Sequence, residues 1–371
     1  MKIAYFILNN FDFDSRARLE VETLGDMGHH LEIIATVGSD SHAFRGFPIH
    51  RIAQWRHPTR KFRFLQYNHY AAWIGRKMKA DIYHAVDLDT LQAAFWAAGG
   101  KPIVYEAREL YTELEALSGR PRIQAIWRSL ENRLIGKSEK VITINESIAD
   151  ELVRRYGIEK PEVIRNVGRL PKDIKPANLY SKYAISEDWK ILIYQGVLRR
   201  GQGLRYLLEV MAGLEHIALV IVGDGSIETE LRNDVARLNL SDRVKFAGRV
   251  PPDELVNYTA GASVGVLFME DVALNNKLAL PQKIFQYLAA GIPQIVSPMP
   301  ELSRFVEREA TGLVAPLGDS VLAAKIISRF LFDETQFNKA KSNCAISAAN
   351  NNWEVESEKL RNIYQTLERS R

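Results

Sequence analysis

Lys283 and Gln286 stand three residues apart in the stretch LALPQKIFQYLAAGIPQIVS (Leu278–Ser297), so on a helix they share one face and can address one ligand. A lysine offers a cation to an anionic oxygen, and a glutamine both donates to and accepts from a hydroxyl. The stretch itself predicts that helix. Pro281 marks its opening, where a missing N–H is harmless, and Ile284, Phe285, Leu288 and Ala289 recur at helical spacing as a buried face. Gly291 and Pro293 punctuate its end, and Ile292–Ser297 reads as a short buried strand. The first N–H groups of a helix have no partners within it, which makes a helix start that faces a cleft an anion site. The plainer reading is an ordinary helix–strand unit of an α/β domain, and local pattern alone does not decide between the two.

Size and composition frame those residues. With 371 residues, 46% hydrophobic and 25% charged, the chain is long enough for two ordinary globular domains. No run approaches the roughly 20 apolar residues that span a bilayer. The opening MKIAYFILNN is short in its apolar part and lacks a small-residue cleavage site, so it is expected to be a first strand and not a signal peptide. Cys344 is the one cysteine, which excludes an internal disulfide and a cysteine-based metal cluster. The eight histidines show no HExxH-type spacing, so no metal centre is expected. A cytosolic protein without a bound cofactor is the expectation. A net charge of +4 is too small to imply nucleic acid. Between Ser41 and Ala80, however, there are nine basic residues and no acidic one, interleaved with Trp55, Phe62, Phe64, Tyr67, Tyr70 and Trp73. That mixture suits an anionic membrane surface or an anionic acceptor. A solvated helix with a few core aromatics accounts for it equally well.

The elements that must position Lys283 and Gln286 follow from the pattern along the chain. Residues 2–8 are a continuous apolar run, as in a strand buried on both faces of a parallel sheet. Asp14 or Ser15 can cap the helix that carries Ala17, Val21 and Leu24, and Leu31–Val37 is the next strand. The intervening loop NNFDFDS has no glycine, so a dinucleotide fingerprint is absent and NAD or FAD is not expected. Strands at Ile82–His84, Pro102–Glu106, Val141–Ile144 and Val163–Arg165 alternate with helices, which makes one doubly wound domain. Val167–Trp189 reads as a polar interdomain linker. The alternation then restarts with strands at Lys190–Tyr194, Ile217–Val222, Val244–Phe246, Ser263–Phe268 and Ile292–Ser297, a second doubly wound domain. Asn351–Arg371 is an amphipathic helix with Trp353, Leu360, Ile363 and Leu367 as its stripe.

Three stretches of the second half, YQGVLRRGQGLRYLLEVM, LVIVGDGSIETELRNDVARLNLSDRVKFAGRV and LPQKIFQYLAAGIPQIVS, resemble in order and spacing the donor-binding domain of retaining, GT-B-fold glycosyltransferases. The resemblance is closest to family four (glycosyl transferases group 1). DSRARLEVETLGDMGHHLEII, DIYHAVDLDTL, YEARELYTE and VITINESIADELVRRYG are similar to landmarks of its acceptor domain. The resemblance implies an α/β fold of two doubly wound, Rossmann-like domains facing a cleft, with the C-terminal helix crossing back to the first. Residues 1–167, joined by 353–371, would bind the acceptor, and 168–352 the nucleotide-sugar donor. It also implies metal-independent transfer of a sugar from a UDP- or GDP-linked co-substrate to a glycan or lipid-linked acceptor, in bacterial cell-surface glycan biosynthesis. The protein would lie in the cytoplasm, with residues 41–80 against the inner face of the cytoplasmic membrane.

The resemblance distributes roles by position. The arginine and lysine that the family sets on the donor diphosphate fall on Val197 and Gln202, and Arg199 and Arg200 are nearby substitutes, joined by Lys283 and Ser15. Of the family's paired glutamates eight residues apart, the later, which holds the ribose, falls on Gln286 and the earlier on Leu278. A glutamine keeps the hydrogen bond but loses its charge assistance. Backbone amides near Leu278, Ala279 and Leu280 would then serve the donor sugar. Gly223 and Gly225 allow a tight turn near the donor, or a plain one, and Arg249 and Val250 match the loop whose backbone reads the base. Where relatives often carry His before Glu, the His reaching the donor sugar near the reaction centre, this chain has Arg108 before Glu109, which the resemblance makes the catalytic pair. Arg108 could grip a phosphate or an acidic sugar bidentately, the favoured reading, or pair with Glu106 or Glu113. Asp14, Ser15 and Arg16 replace a glycine pair facing the phosphates, and Asp14 and Arg16 are placed on the acceptor side with His84 and Asp87, which stand at a strand's carboxyl end. The accumulated substitutions motivate a second reading, a catalytically degenerate glycosyltransferase-like binding partner of an active enzyme. A sugar-nucleotide epimerase of the same fold is a third, for which the expected acids are not apparent.

Overall fold

The apolar run at the N-terminus becomes β1 (Lys2–Phe6), whose residues beyond Lys2 are buried, as in a strand covered on both faces. Asp14 caps α1 (Ser15–Asp26), its carboxylate accepting from the Ala17 amide. β2 (His30–Thr36) follows, then a short hairpin of β3 (Ala43–Phe44) and β4 (Phe47–Ile52), then α2 (Arg60–Met78). The alternation continues through β5 (Ile82–Val86), α3 (Leu88–Ala98), β6 (Ile103–Ala107), α4 (Pro121–Leu134), β7 (Lys140–Thr143), α5 (Glu146–Tyr156) and β8 (Glu162–Val163). These strands form one sheet in the order β3-β4-β2-β1-β5-β6-β7-β8, parallel except for β3 against β4. The computed structural model describes residues 1–39, 41–53 and 60–370, so Trp55 and Arg56 of the basic stretch lie outside the described residues.

Residues 1–166 with 353–371 make one compact unit, and 167–352 the other. The second begins inside the stretch read as a linker. α6 (Leu179–Tyr183) lies there, with Leu179 fully buried, and the Ala177 amide bonds the Asn257 carbonyl at 2.9 Å. Its few apolar residues pack into the core of that unit with Ile191, Ile193 and Tyr258, so the segment is part of the domain and not a free connector. Then come β9 (Lys190–Gln195), α7 (Leu204–Ala212), β10 (Ile217–Val222), α8 (Glu228–Arg237), β11 (Val244–Gly248), α9 (Pro252–Ala260) and β12 (Val264–Leu267). α10 (Leu274–Lys277), α11 (Gln282–Ala289), β13 (Gln294–Val296), α12 (Pro300–Glu309), β14 (Gly312–Val314), α13 (Ser320–Phe332) and α14 (Glu334–Asn350) complete the unit. Its sheet is parallel throughout, in the order β11-β10-β9-β12-β13-β14.

The last helix, α15 (Trp353–Arg369), belongs to the first unit. All four residues of its predicted stripe are buried, and the Trp353 indole donates to Thr23 Oγ1 of α1 at 3.0 Å. α11 is displaced by one residue from its expected start, because Pro281 keeps extended backbone and serves as the N-cap.

Candidate active site

In the second unit the strand order reverses between β9 and β12, and open α/β sheets take their ligands outside the carboxyl ends of the strands at such a point. The loop leaving β9 holds Arg199 and Arg200, both exposed. Lys283, in the first turn of α11, donates to the Tyr194 hydroxyl at 2.9 Å and to Gln202 Oε1 at 2.7 Å, with its Nζ 4.4 Å over the Tyr194 ring. Its stem runs past Gly196, where a Cβ would stand 2.5 Å from Lys283 Cε. Burial, and then the charge of Arg199, bring the amine down to about 7. The family's lysine was expected at Gln202, and Lys283 brings an amine to that same side chain from another element.

Gln286 serves a different place at the same end of the sheet. Its Oε1 accepts from Gln195 Nε2 at 2.6 Å, and Gln195 Oε1 accepts from Thr259 Oγ1 at 2.6 Å. These three residues line a pocket of about 310 Å³ with Pro252, Val256 and Phe285 among its walls, within the size range of small-molecule sites. Gly223 and Gly225 are supports. A Cβ on the first would strike the Gly196 carbonyl and on the second that of Leu198, so the turn after β10 lies directly on the loop after β9. Arg249 projects outward to Asp224 at 2.8 Å, and Val250 packs against the core. The expectation for Leu278 and Ala279 needs correcting, since their amides are spent on the Leu274 and Asn276 carbonyls at 3.0 and 3.3 Å; Leu280 is buried beside them.

In the first unit the order reverses between β1 and β5. Ser15 is exposed in the first turn of α1 there. Arg108 was expected to grip a ligand, and the structure corrects this. Its Nη1 takes both oxygens of Asp14 at 3.0 Å, and its Nη2 meets Tyr5 Oη at 2.9 Å, Glu106 Oε2 at 3.1 Å and Glu20 Oε2 at 3.2 Å. With those donors committed, Arg108 pins the loop after β1 to the loop after β6, the partnership with Glu106 that was the other reading. Arg16 is likewise not a phosphate-facing residue. It is 3% exposed, with its Nε on Glu106 at 2.6 Å and Glu20 at 2.9 Å and its Nη1 on the Ile164 and Arg165 carbonyls. His84 lies within β5, fully buried, stacked on Tyr5 at 4.7 Å and bonded through Nδ1 to the Tyr364 hydroxyl at 2.7 Å, so it reaches no acceptor.

Burial alone would raise Glu106, yet Arg108 and Arg16 hold its carboxyl well below the ordinary range, while burial and the charge of Glu106 push Glu20 up. Glu106 is therefore the ionised partner of both guanidiniums. Glu20, His84 and Glu106 bring ligand-type atoms within 4.8 Å of one another, but two guanidiniums already lie against the carboxylates, so the cluster does not fit a cation. Asp87 stays at the open end of the sheet. Its φ of 59° and ψ of 167° lie in a region used almost only by glycine, and its Oδ1 accepts from the Arg108 amide at 2.9 Å. Burial, then Asp89 and Glu109, raise Asp87 well above the carboxylate range, and burial brings Asp89 up to about 7. Glu109 is exposed beside them.

Sequence reasoning did not single out Tyr194, Gln195, Thr259, Tyr5, Glu20 or Tyr364. Glu20 follows Arg16 by four residues on a predicted helix, a signal that could have marked the pair. Tyr364 carries none, since it adjoins an apolar stripe.

The two halves of the chain match two family models, Glycosyltransferase Family 4 over residues 17–167 and Glycosyl transferases group 1 over 176–349. The amylovoran biosynthesis glycosyltransferase AmsK of Erwinia amylovora is 24% identical over 201 residues, 53% of this chain and 48% of that protein. The chain spans about half the length of the curated relatives it matches. Sucrose-phosphate synthase from Thermosynechococcus elongatus has the same fold, with a TM-score of 0.83 at 18% identity and all of both chains covered. So does HepE of Anabaena in complex with UDP-glucose, with a TM-score of 0.77 at 16% identity over 99% of this chain and 100% of that one.

Proposed function

Since the chain belongs to the group 1, family four glycosyltransferases of GT-B fold, we propose that it transfers a sugar from a nucleotide-linked donor to an acceptor hydroxyl with retention of configuration. The observation that carries this is the pairing in the second unit of a cationic loop end, Arg199 and Lys283, with a pocket holding Gln286. A diphosphate beside Lys283 and a ribose beside Gln286 would be met by the two chemistries they need. The HepE complex with UDP-glucose supports a nucleotide-linked donor over a free sugar. In the reaction the acceptor oxygen bonds to the anomeric carbon from the face that the diphosphate leaves. The acceptor proton passes to the departing phosphate oxygen, and Lys283 and Arg199 stabilise the charge that develops there. No metal ion is required in this scheme.

The acceptor is a growing glycan or a lipid-linked one, in cell-surface glycan assembly on the inner face of the cytoplasmic membrane. No helix among the described residues is long and apolar enough to cross a membrane. In α2, Tyr67 is buried with its hydroxyl on the Ile7 carbonyl, whereas Leu65, Tyr70 and Trp73 are 50%, 54% and 58% exposed among Arg76 and Lys77. Half-exposed aromatics on a basic face favour a membrane surface over a merely solvated helix. The reading as a degenerate binding partner rests partly on Gln202, and the Lys283 amine bonded to that side chain weighs against it.

Thermal unfolding with millimolar UDP-, GDP- and ADP-sugars tests the donor reading, since a ligand that binds only the folded state raises its melting temperature. We expect a shift with one nucleotide class, lost in Gln286→Ala and kept in Gln286→Glu. No shift with any nucleotide sugar would remove the enzyme reading, and equal binding by both variants would remove the ribose assignment.

A further inference from the structure

Lys283 is built into its place without a counter-charge. Two neutral oxygens, Tyr194 Oη and Gln202 Oε1, take two of its three possible hydrogens, and the bare backbone of Gly196 makes room for the stem. β9 presents Tyr194 and the loop after β9 presents Arg199, while Arg205 of α7 is paired away with Glu230 and Asp234, and Glu270, after β12, bonds through its amide to the Gly201 carbonyl at 3.1 Å. Its neighbours on α11, Gln282 and Gln286, are uncharged. Among the described residues no carboxylate pairs with Lys283.

We propose that Lys283, enclosed without a counter-charge between Tyr194 Oη and Gln202 Oε1 and beside Arg199, binds the donor diphosphate by taking up a proton. The proposal rests on the donor reading above and adds its pH control. The physical cause is enclosure next to a second cation, which brings the free amine to about 7. A diphosphate supplies the missing counter-charge and raises the amine again. The sign follows. Below the free value the amine is already charged, so affinity is full and no proton is taken up. As the pH rises past 7 each binding event must bring a proton from solvent, and affinity falls until the amine of the complex itself titrates.

Isothermal titration of the full chain with UDP-glucose, GDP-mannose and ADP-glucose, between pH 6 and 8.5 in phosphate and in Tris, reads this directly. The diphosphate of a nucleotide sugar does not titrate in that range, so buffer-dependent heat reports the protein. For whichever donor binds, we expect uptake of about half a proton at pH 7, approaching one at pH 8, and a Kd that weakens by up to about tenfold per pH unit above 7. Lys283→Arg, which stays charged, should bind with no uptake and a flat pH profile, and Lys283→Met should bind more weakly and equally flat. Binding of the parent with no proton uptake at pH 8, or uptake persisting in both variants, overturns the proposal alone. Absence of binding by all three donors overturns it together with the donor reading.

Discussion

Glu106 is the residue on which the first unit's charge network turns, since it is fully buried and Arg16 and Arg108 both lie against it. Removing its charge leaves two guanidiniums with only Glu20 and Asp14 between them. Glu106→Gln should therefore cost about 3–5 kcal/mol in urea unfolding, the usual effect of breaking a buried pair from one side. Glu20→Gln should cost less, because burial and the charge of Glu106 raise the Glu20 carboxyl and so reduce what its charge contributes. The sign with pH agrees. A carboxyl held below its ordinary 4.5 adds stability that is complete above that value and fades as the pH falls toward the folded-state value, so Glu106→Gln should flatten the acid limb. Equal losses from the two substitutions would show that the charge is shared. The kinds of residue in the site were legible in the sequence, but their wiring was not. Lys283, Gln286, Arg108 and Asp87 stand out by type and place. Whether Arg108 meets a ligand or Glu106 depends on how β1, β5 and β6 are ordered and registered, and no local pattern carries that.

Elements were legible in proportion to their length and to how much of their stability is local. The six buried residues of β10, IALVIV, and the apolar face of α11 announce themselves. The β3–β4 hairpin, α6 and α10 do not, because two to six residues hold too little periodicity and are formed by tertiary contact, as Leu179 shows. α2 stands between these cases. Its composition left membrane and solvated readings level, and the helix register turns Tyr67 inward and Tyr70 and Trp73 outward. Lys77 lies 3.5 Å over the Trp73 ring, a basic–aromatic pair of the kind that sits at a bilayer interface. The protein should cosediment with vesicles rich in anionic lipid, and the bound fraction should fall away by about 0.5 M salt, where charges are screened within a few ångströms. Tyr70→Ser with Trp73→Ser should weaken that binding while leaving the melting temperature unchanged, since both side chains are more than half exposed. Salt-independent or absent binding would return α2 to an ordinary solvated helix.

At the scale of the whole molecule, the chain order of the domains is not the order of their cores. The second unit is continuous, whereas the first needs α15 from the far end of the chain. That helix buries Trp353, Leu360, Ile363, Tyr364 and Leu367, and the Tyr364 hydroxyl reaches His84 in the middle of the sheet. At about 1.5–3 kcal/mol for each large side chain buried, the contribution is of order 10 kcal/mol. That is as large as the net stability of an ordinary domain, about 5–15 kcal/mol. A fragment of residues 1–166 should therefore fail to give a cooperative unfolding transition, and joining 353–371 to its end through a flexible glycine–serine linker should restore one. Residues 167–352 hold their own sheet, Lys283, Gln286 and the pocket, so that fragment should fold alone and keep any melting shift that a nucleotide sugar gives the full chain. A cooperative 1–166 fragment would mean that α15 is an accessory and not part of the core. A folded 167–352 fragment blind to the nucleotide sugar would mean that Lys283 and Gln286 do not suffice for donor binding without the first unit.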